Sequence, residues 1–230
     1  NKPVPLIANI VADTVENFAK SAENIAGLNP DLLEVNISCP NVESELGKPF
    51  ACSAVDAARV TKAVKAVAGT LPVFIKLSPN VDNIASIAVA CAREGADGFT
   101  LINTVGPGMA IDLRSRMPIL ANKVGGLSGP GIKPLAVKLI ADVYAATSGK
   151  LPIIGLGGVY TGEDALELML AGASLIGIGT AVYDRGIDVF QKVCDEMQLW
   201  CTNEGVWEVS DMVGGMHSTL KAFRSSSRTL

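Results

Sequence analysis

Residues 151–180 read LPIIGLGGVYTGEDALELMLAGASLIGIGT, and this stretch decides the fold. An apolar run of strand length at 152–156 ends in glycines. Thr161, with Asp164 three residues on, then supplies a hydroxyl and a carboxylate at the start of a helix. That helix, expected over 162–171, ends at Gly172, a residue that closes a helix without side-chain penalty. A second strand follows at once over 174–178 and also runs into glycines. A strand, a helix and a strand at this spacing make a βαβ unit with parallel strands.

The same module recurs towards the N-terminus. Strands are expected at 5–10, 32–37, 72–77 and 98–102, and helices at 14–26, 54–68, 81–93 and 132–146, with a last helix at 187–202. Asp13 with Glu16 and Ser53 with Asp56 repeat the capping pattern, and Gly95 repeats the helix-to-strand joint of Gly172. Right-handed crossovers of such units give an open doubly wound sheet or a closed barrel. The glycines favour the barrel. Gly155-Leu156-Gly157-Gly158 and Gly177-Ile178-Gly179-Thr180 sit at the carboxyl ends of the last two strands, where barrels build a phosphate site. Neither string is a dinucleotide fingerprint, because Tyr160 and Val182 occupy the final glycine positions of G-x-G-x-x-G.

Composition sets the outer bounds. The chain has 230 residues, 49% of them hydrophobic and 18% charged, with a formal net charge of -4. Such a chain has ample apolar surface for one domain, and it is neither a disordered tail, a collagen-like repeat nor a basic nucleic-acid binder. The five cysteines contain no C-x-x-C pair and there is one histidine, His217, so no disulfide framework, iron–sulfur cluster or metal site is expected. Without a signal layout or an apolar run of membrane length, the expectation is a cytoplasmic protein that avoids membranes. The chain starts without Met and almost directly in a strand, which suggests an upstream segment that is removed or not included.

Chemistry concentrates at the strand ends. Backbone N–H groups of the glycine loops can approach a phosphate closely, and the helices that follow favour a dianion there. Asn36-Ile37-Ser38-Cys39-Pro40-Asn41 closes the second strand with two amides, a hydroxyl and a thiol, a set suited to a planar ring bearing carbonyl and N–H groups. Cys39 can be a nucleophile, a proton-transferring base or a small buried apolar residue, and its place between amides at a strand end favours catalysis. Lys76 stands in an apolar strand, where it is either a snorkelling surface residue or a charge aimed into the barrel mouth. Asn103-Thr104 adds an amide and a hydroxyl after the fourth strand. Lys62 and Lys65, on a charged helix face, read as solvated surface.

Taken together, NISCPN at 36–41, IKLSP at 75–79, INT at 102–104, ANKVGGLSGP at 121–130, GLGG at 155–158 and GT at 179–180 resemble dihydroorotate dehydrogenase. The likeness covers roughly residues 3–217, in order. A cysteine where other members have serine is similar to the soluble class with a Cys base, and the ANKVGGLSGP string is nearest to its NAD-linked two-subunit subclass. The resemblance implies a (β/α)8 TIM barrel that binds FMN and oxidises dihydroorotate to orotate in pyrimidine synthesis. Cys39 would be the base. Asn36, Asn41, Asn103 and Thr104 would meet the substrate, and Asn9, Asn36, Lys76, Ile102, Gly129, Gly157, Gly158, Gly179 and Thr180 would hold FMN. It further implies an iron–sulfur flavoprotein partner carrying FAD and a 2Fe–2S cluster, and a homodimer of the catalytic subunit. Family barrels have eight strands, so the first two βα units, with a lysine and an asparagine-bearing loop, are expected to be absent here. Residues 1–217 would then be a partial barrel and 218–230 a tail without counterpart. Two other readings stay open: a related flavin barrel acting on another dihydropyrimidine such as dihydrouracil, and a phosphate-binding or interaction fragment without redox activity.

Overall fold

The computed structural model describes residues 4–38 and 49–226, with side chains through 221. Its centre is a parallel sheet of six strands: β1 (Ile7–Ile10), β2 (Leu32–Asn36), β3 (Val73–Lys76), β4 (Gly98–Leu101), β9 (Ile153–Leu156) and β10 (Leu175–Gly177), hydrogen-bonded in that order. These are the six strands expected from the sequence. A strand order that never reverses, joined by right-handed crossovers, puts every crossover helix on one face of the sheet. The helices lie accordingly. α1 (Val15–Ala26), α2 (Ala54–Val67), α3 (Ile84–Arg93), α4 (Lys133–Ala146) and α5 (Gly162–Ala171) each pack on the next, and α7 (Val189–Glu204) packs on α5. A doubly wound sheet would place helices on both faces, so this single helical layer is the barrel arrangement.

The two faces differ in chemistry because side chains alternate along each strand. Leu33 and Val35, Val73 and Ile75, Phe99 and Leu101, and Ile153 point to the helical side and form the main core with Val60, Val64, Ile87, Ile140 and Leu168. The other face carries Asn9, Glu34, Asn36, Phe74, Lys76, Thr100 and Ile154, joined by the register of the parallel ladder. One face therefore drives folding through apolar burial and the other is left for polar work.

Helix starts follow local chemistry. Ser53 and Thr161 cap α2 and α5 as expected, and at α5 the reciprocal bonds of Thr161 and Asp164 complete a capping box. At α1 the cap is Thr14 rather than Asp13: Thr14 is extended and its hydroxyl accepts from the Asn17 N–H, while Asp13 accepts from the Asn17 side chain. The third helix begins at Ile84 instead of residue 81, because Asn83 accepts from the Ser86 N–H and sets the boundary there. Gly95 and Gly172 both adopt positive φ at the helix-to-strand joints. Lys62 is exposed as expected, whereas Lys65 is half-buried with its ammonium 2.7 Å from Asp97, whose carboxylate also accepts the Val73 N–H.

Between β4 and α4 the chain makes an excursion. β5 (Val105–Gly108) pairs antiparallel with β8 (Gly125–Leu127), and β6 (Ile111–Asp112) pairs with β7 (Met117–Pro118). Two further helices, α6 (Ala181–Arg185) and α8 (Gly215–Ser226), were not expected from the sequence, and α8 runs across residue 218. Among the described residues no helix is long and apolar enough to cross a membrane.

Candidate active site

The carboxyl ends of β3, β4, β9 and β10 surround a cavity of about 300 Å³. Nine residues singled out in the sequence line it: Lys76, Ile102, Asn103, Thr104, Gly129, Gly157, Gly158, Gly179 and Thr180. These come from five separate stretches of chain, and parallel strands ending at one level bring them together.

Glycines shape one wall. Gly157 has φ 131°, Gly158 φ 77° and Gly129 φ 93°, all in the region that favours glycine. A Cβ on Gly157 would come within 3.1 Å of Ile102, and one on Gly158 within 2.6 Å of Lys133, so both backbones sit flush against their neighbours. A Cβ on Gly179 would meet nothing within 4 Å. It would project into open space, which is the room a bound group needs. Thr180 donates from Oγ1 to Ser128 Oγ at 2.9 Å and so ties the β10 loop to the β8 loop beside Gly129. Bare backbone, two hydroxyls and open space beside Gly179 fit a phosphate.

The loop after β9 is clamped from below. Asp164 accepts the N–H groups of Tyr160 and Thr161 at 2.9 and 2.8 Å and takes the Lys133 ammonium at 2.8 Å. Burial alone would raise the Asp164 carboxyl, but these donors outweigh it and hold the group below its ordinary range. Hydrogen bonds that the Lys133 ammonium donates to Asp164 and Glu167 in turn raise Lys133. Glu196 on α7 accepts the Gly162 N–H at 2.7 Å and pairs with Arg185, which also donates to the Tyr160 carbonyl. Tyr160 reaches Asp184 through its hydroxyl at 2.5 Å.

Amides and hydroxyls shape the opposite wall. Asn103 donates from Nδ2 to Ser38 Oγ at 2.7 Å and to Asn36 Oδ1 at 3.4 Å, and Ser38 Oγ donates to Asn36 Oδ1 at 2.9 Å. Thr104 lies under β8 so closely that a Cβ on Gly126 would fall 2.0 Å from its hydroxyl oxygen. Asn80 bridges the two loops, donating to the Thr104 carbonyl and accepting the Gly106 N–H. Asn36 and Asn9 do not line the cavity itself. Asn36 is reached through Asn103, and Asn9 donates to Glu34 at 2.5 Å on the polar face of the sheet. Lys76 also pairs with Glu34, at 3.3 Å. Cys39 and Asn41 lie outside the described residues.

Glu34, Ser128, Asn80, Tyr160 and Lys133 received no site role from the sequence, whereas Ser38 was the hydroxyl of the polar set that closes β2. Glu34 had a signal of the same kind as Lys76, a charge inside an apolar strand, and Ser128 stands next to Gly129. Asn80 directly follows the IKLSP string and Tyr160 stands two residues after GLGG, but neither string gave them a role, and Lys133 lay in the first turn of an expected helix.

The family model for dihydroorotate dehydrogenase matches residues 1–200. The chain belongs to the dihydroorotate dehydrogenase family. Among curated relatives it is similar to the catalytic subunit of dihydroorotate dehydrogenase B (NAD(+)) from Halalkalibacterium halodurans, at 46% identity over 92% of this chain and 68% of that one. It is similar also to the proteins of that name from Bacillus pumilus, at 52% over 91% and 66%, and from Methanosarcina acetivorans, at 42% over 94% and 68%. The chain thus spans about two thirds of the length of these relatives. The family is a family of TIM barrels, and the parallel sheet with one helical layer agrees with it.

Proposed function

We propose that this chain carries the FMN and substrate site of a dihydroorotate dehydrogenase, which oxidises (S)-dihydroorotate to orotate in pyrimidine synthesis. The observation that carries this reading is the cavity, where the glycine wall of β9 and β10 faces Asn103, Thr104 and Lys76. A phosphate site on one side and a ring-reading set of amides on the other suit a flavin nucleotide with a pyrimidine beside it.

When bound, FMN supplies the two-electron acceptor for the hydride that leaves C6 of the substrate. The chain's own residues do the rest. The N–H groups around Gly129, Gly157, Gly158 and Gly179, with the Thr180 hydroxyl, would hold the ribityl phosphate. Ile102, Asn9, Asn36 and Lys76 would hold the ring, Lys76 with a positive charge that favours electron density arriving there. Asn36, Asn41, Asn103 and Thr104 would hold the substrate ring by its carbonyl and N–H groups. The Asn36–Ser38–Asn103 bonds already fix the amide orientations, so little reorganisation is needed on binding. Cys39 would take the C5 proton, leaving the ring double bond of orotate as the hydride departs.

The sheet supports a larger barrel. Its edge strands carry exposed apolar residues, Ile7 on β1 and Leu175 on β10, which two more βα units would cover in closing eight strands. The relatives' names as catalytic subunits support a separate partner subunit for this chain. In our reading that partner is an iron–sulfur flavoprotein with FAD, and the catalytic subunit pairs with a second copy of itself. The test is anaerobic mixing of the FMN-loaded protein with dihydroorotate. Bleaching of the flavin band by dihydroorotate, and not by dihydrouracil, is the expected result; equal bleaching by both overturns the substrate assignment.

A further inference from the structure

Two of the residues assigned to the flavin ring, Asn9 and Lys76, stand on different strands, β1 and β3. The strand between them brings one carboxylate to both. Glu34 on β2 is in register with Asn9 on one side and Phe74 on the other, one layer below the Asn36–Lys76 pair. Its Oε1 accepts from Asn9 Nδ2 at 2.5 Å and from Lys76 Nζ at 3.3 Å. Glu34 is only 8% exposed, and the Lys76 side chain only 17%. Charges this far from water interact strongly, and breaking such a pair from one side leaves the other charge uncompensated.

We propose that Glu34 is a positioning residue for the redox site, a buried counter-charge that aims the Lys76 ammonium and the Asn9 amide at the flavin ring and sets how much net charge that ring feels. The inference rests on the flavin reading of the cavity. A long lysine stem has several rotamers of similar energy, and a fixed acceptor selects among them. The carboxylate also balances the ammonium, so the ring meets a nearly neutral pair in place of a bare cation. A reduced flavin carries more negative charge than an oxidised one, so the balance at this pair tunes its reduction potential.

The experiment measures the midpoint potential of FMN bound to the wild-type chain, Glu34→Gln, Lys76→Met and the double variant. Glutamine keeps an oxygen for Asn9 and removes only the charge. The potential is expected to rise in Glu34→Gln, where the ammonium is unbalanced, to fall in Lys76→Met, where the carboxylate is, and to return close to wild type in the double variant. A purely structural role would loosen FMN in both single variants and most in the double one, with no return. Wild-type protein that binds FMN while Glu34→Gln leaves the potential unchanged, or a double variant that does not return, overturns the role of Glu34 alone. Wild-type protein that neither binds FMN nor perturbs its spectrum overturns the flavin reading and this inference with it.

Discussion

Gly158 is pressed against Lys133 so tightly that a Cβ on the glycine would fall 2.6 Å from the lysine Cβ and 2.7 Å from its backbone nitrogen. The contact joins the loop after β9 to the first turn of α4, and Lys133 in turn reaches Asp164 and Glu167 on α5. The glycine wall of the cavity is therefore tied together by the loop after β9, α4 and α5.

Replacing Gly158 by alanine should be costly for two independent reasons, the positive φ of 77° and the collision with backbone. Together these should destabilise the fold by about 1–3 kcal/mol and weaken FMN binding at least tenfold. Gly179→Ala meets no such obstacle within 4 Å, so it should leave stability unchanged and reduce FMN affinity by filling the space. Denaturant melts beside FMN titrations separate the two effects, and equal behaviour of both variants would contradict the cradle.

Acid should unfasten the same wall. Asp164 is held below its ordinary 3.8, since burial, which would raise it, is outweighed by Lys133 and two backbone donors. Glu196 is held below its ordinary 4.5, chiefly by the Arg185 hydrogen bond. A carboxyl depressed in the fold contributes stability that is complete above its ordinary value and is lost as pH falls through the folded value. The melting temperature should be level from neutral pH down to about 5 and should drop on further acidification, less so in an Asp164→Asn variant. A melting temperature that ignores pH down to about 3 would refute this.

Asp164→Ala removes the capping box, the acceptor of the Tyr160 N–H and one of the two carboxylates that hold Lys133. Cap loss alone costs about 1 kcal/mol, and the half-buried Tyr160 N–H and the Lys133 ammonium each lose an acceptor besides, so about 2 kcal/mol is expected. Urea unfolding checks the size, and a change under about 0.5 kcal/mol would place the clamp elsewhere.

Thr100 tests the polar face from the other side. It is buried in register with Lys76, and its hydroxyl has no hydrogen-bond partner among the described residues. Thr100→Val should hence be neutral or stabilising by up to about 1 kcal/mol. A loss of stability of that size would mean that the hydroxyl holds a partner in the folded protein.

Much of this site was legible in the sequence because the chemistry sits where strands end. Gly157, Gly158, Gly179 and Thr180 were found from their place after apolar runs, and Lys76 from a charge where none belongs. What sequence could not convey was register. Glu34 is as anomalous in its strand as Lys76, but its link to Asn9, 25 residues before it, and to Lys76, 42 residues after it, exists only once three parallel strands align. The excursion at 105–127 escaped because its strands are two to four residues long and rich in glycine and proline, too short for any period. α6, five residues long, escaped for the same reason. The Thr14 cap was misplaced by one residue because Asp13 and Thr14 are both good caps, and only backbone conformation chooses between them.

Cys39→Ala bears on the base assignment. Turnover should fall about 100-fold or more while FMN stays bound, and wild-type activity should rise with pH towards an ordinary thiol value of about 8.5 unless the site lowers it. Unchanged turnover would remove Cys39 from the chemistry.

In the proposed function one cavity holds a flavin and a pyrimidine carboxylate side by side. The most direct measurement is the near-ultraviolet and visible absorbance spectrum of the protein with FMN, titrated with orotate. A flavin band that shifts saturably with orotate, and not with uracil, is the predicted result. A protein that takes up FMN but whose spectrum is indifferent to orotate, or that takes up no FMN at all, would contradict a shared flavin and pyrimidine site.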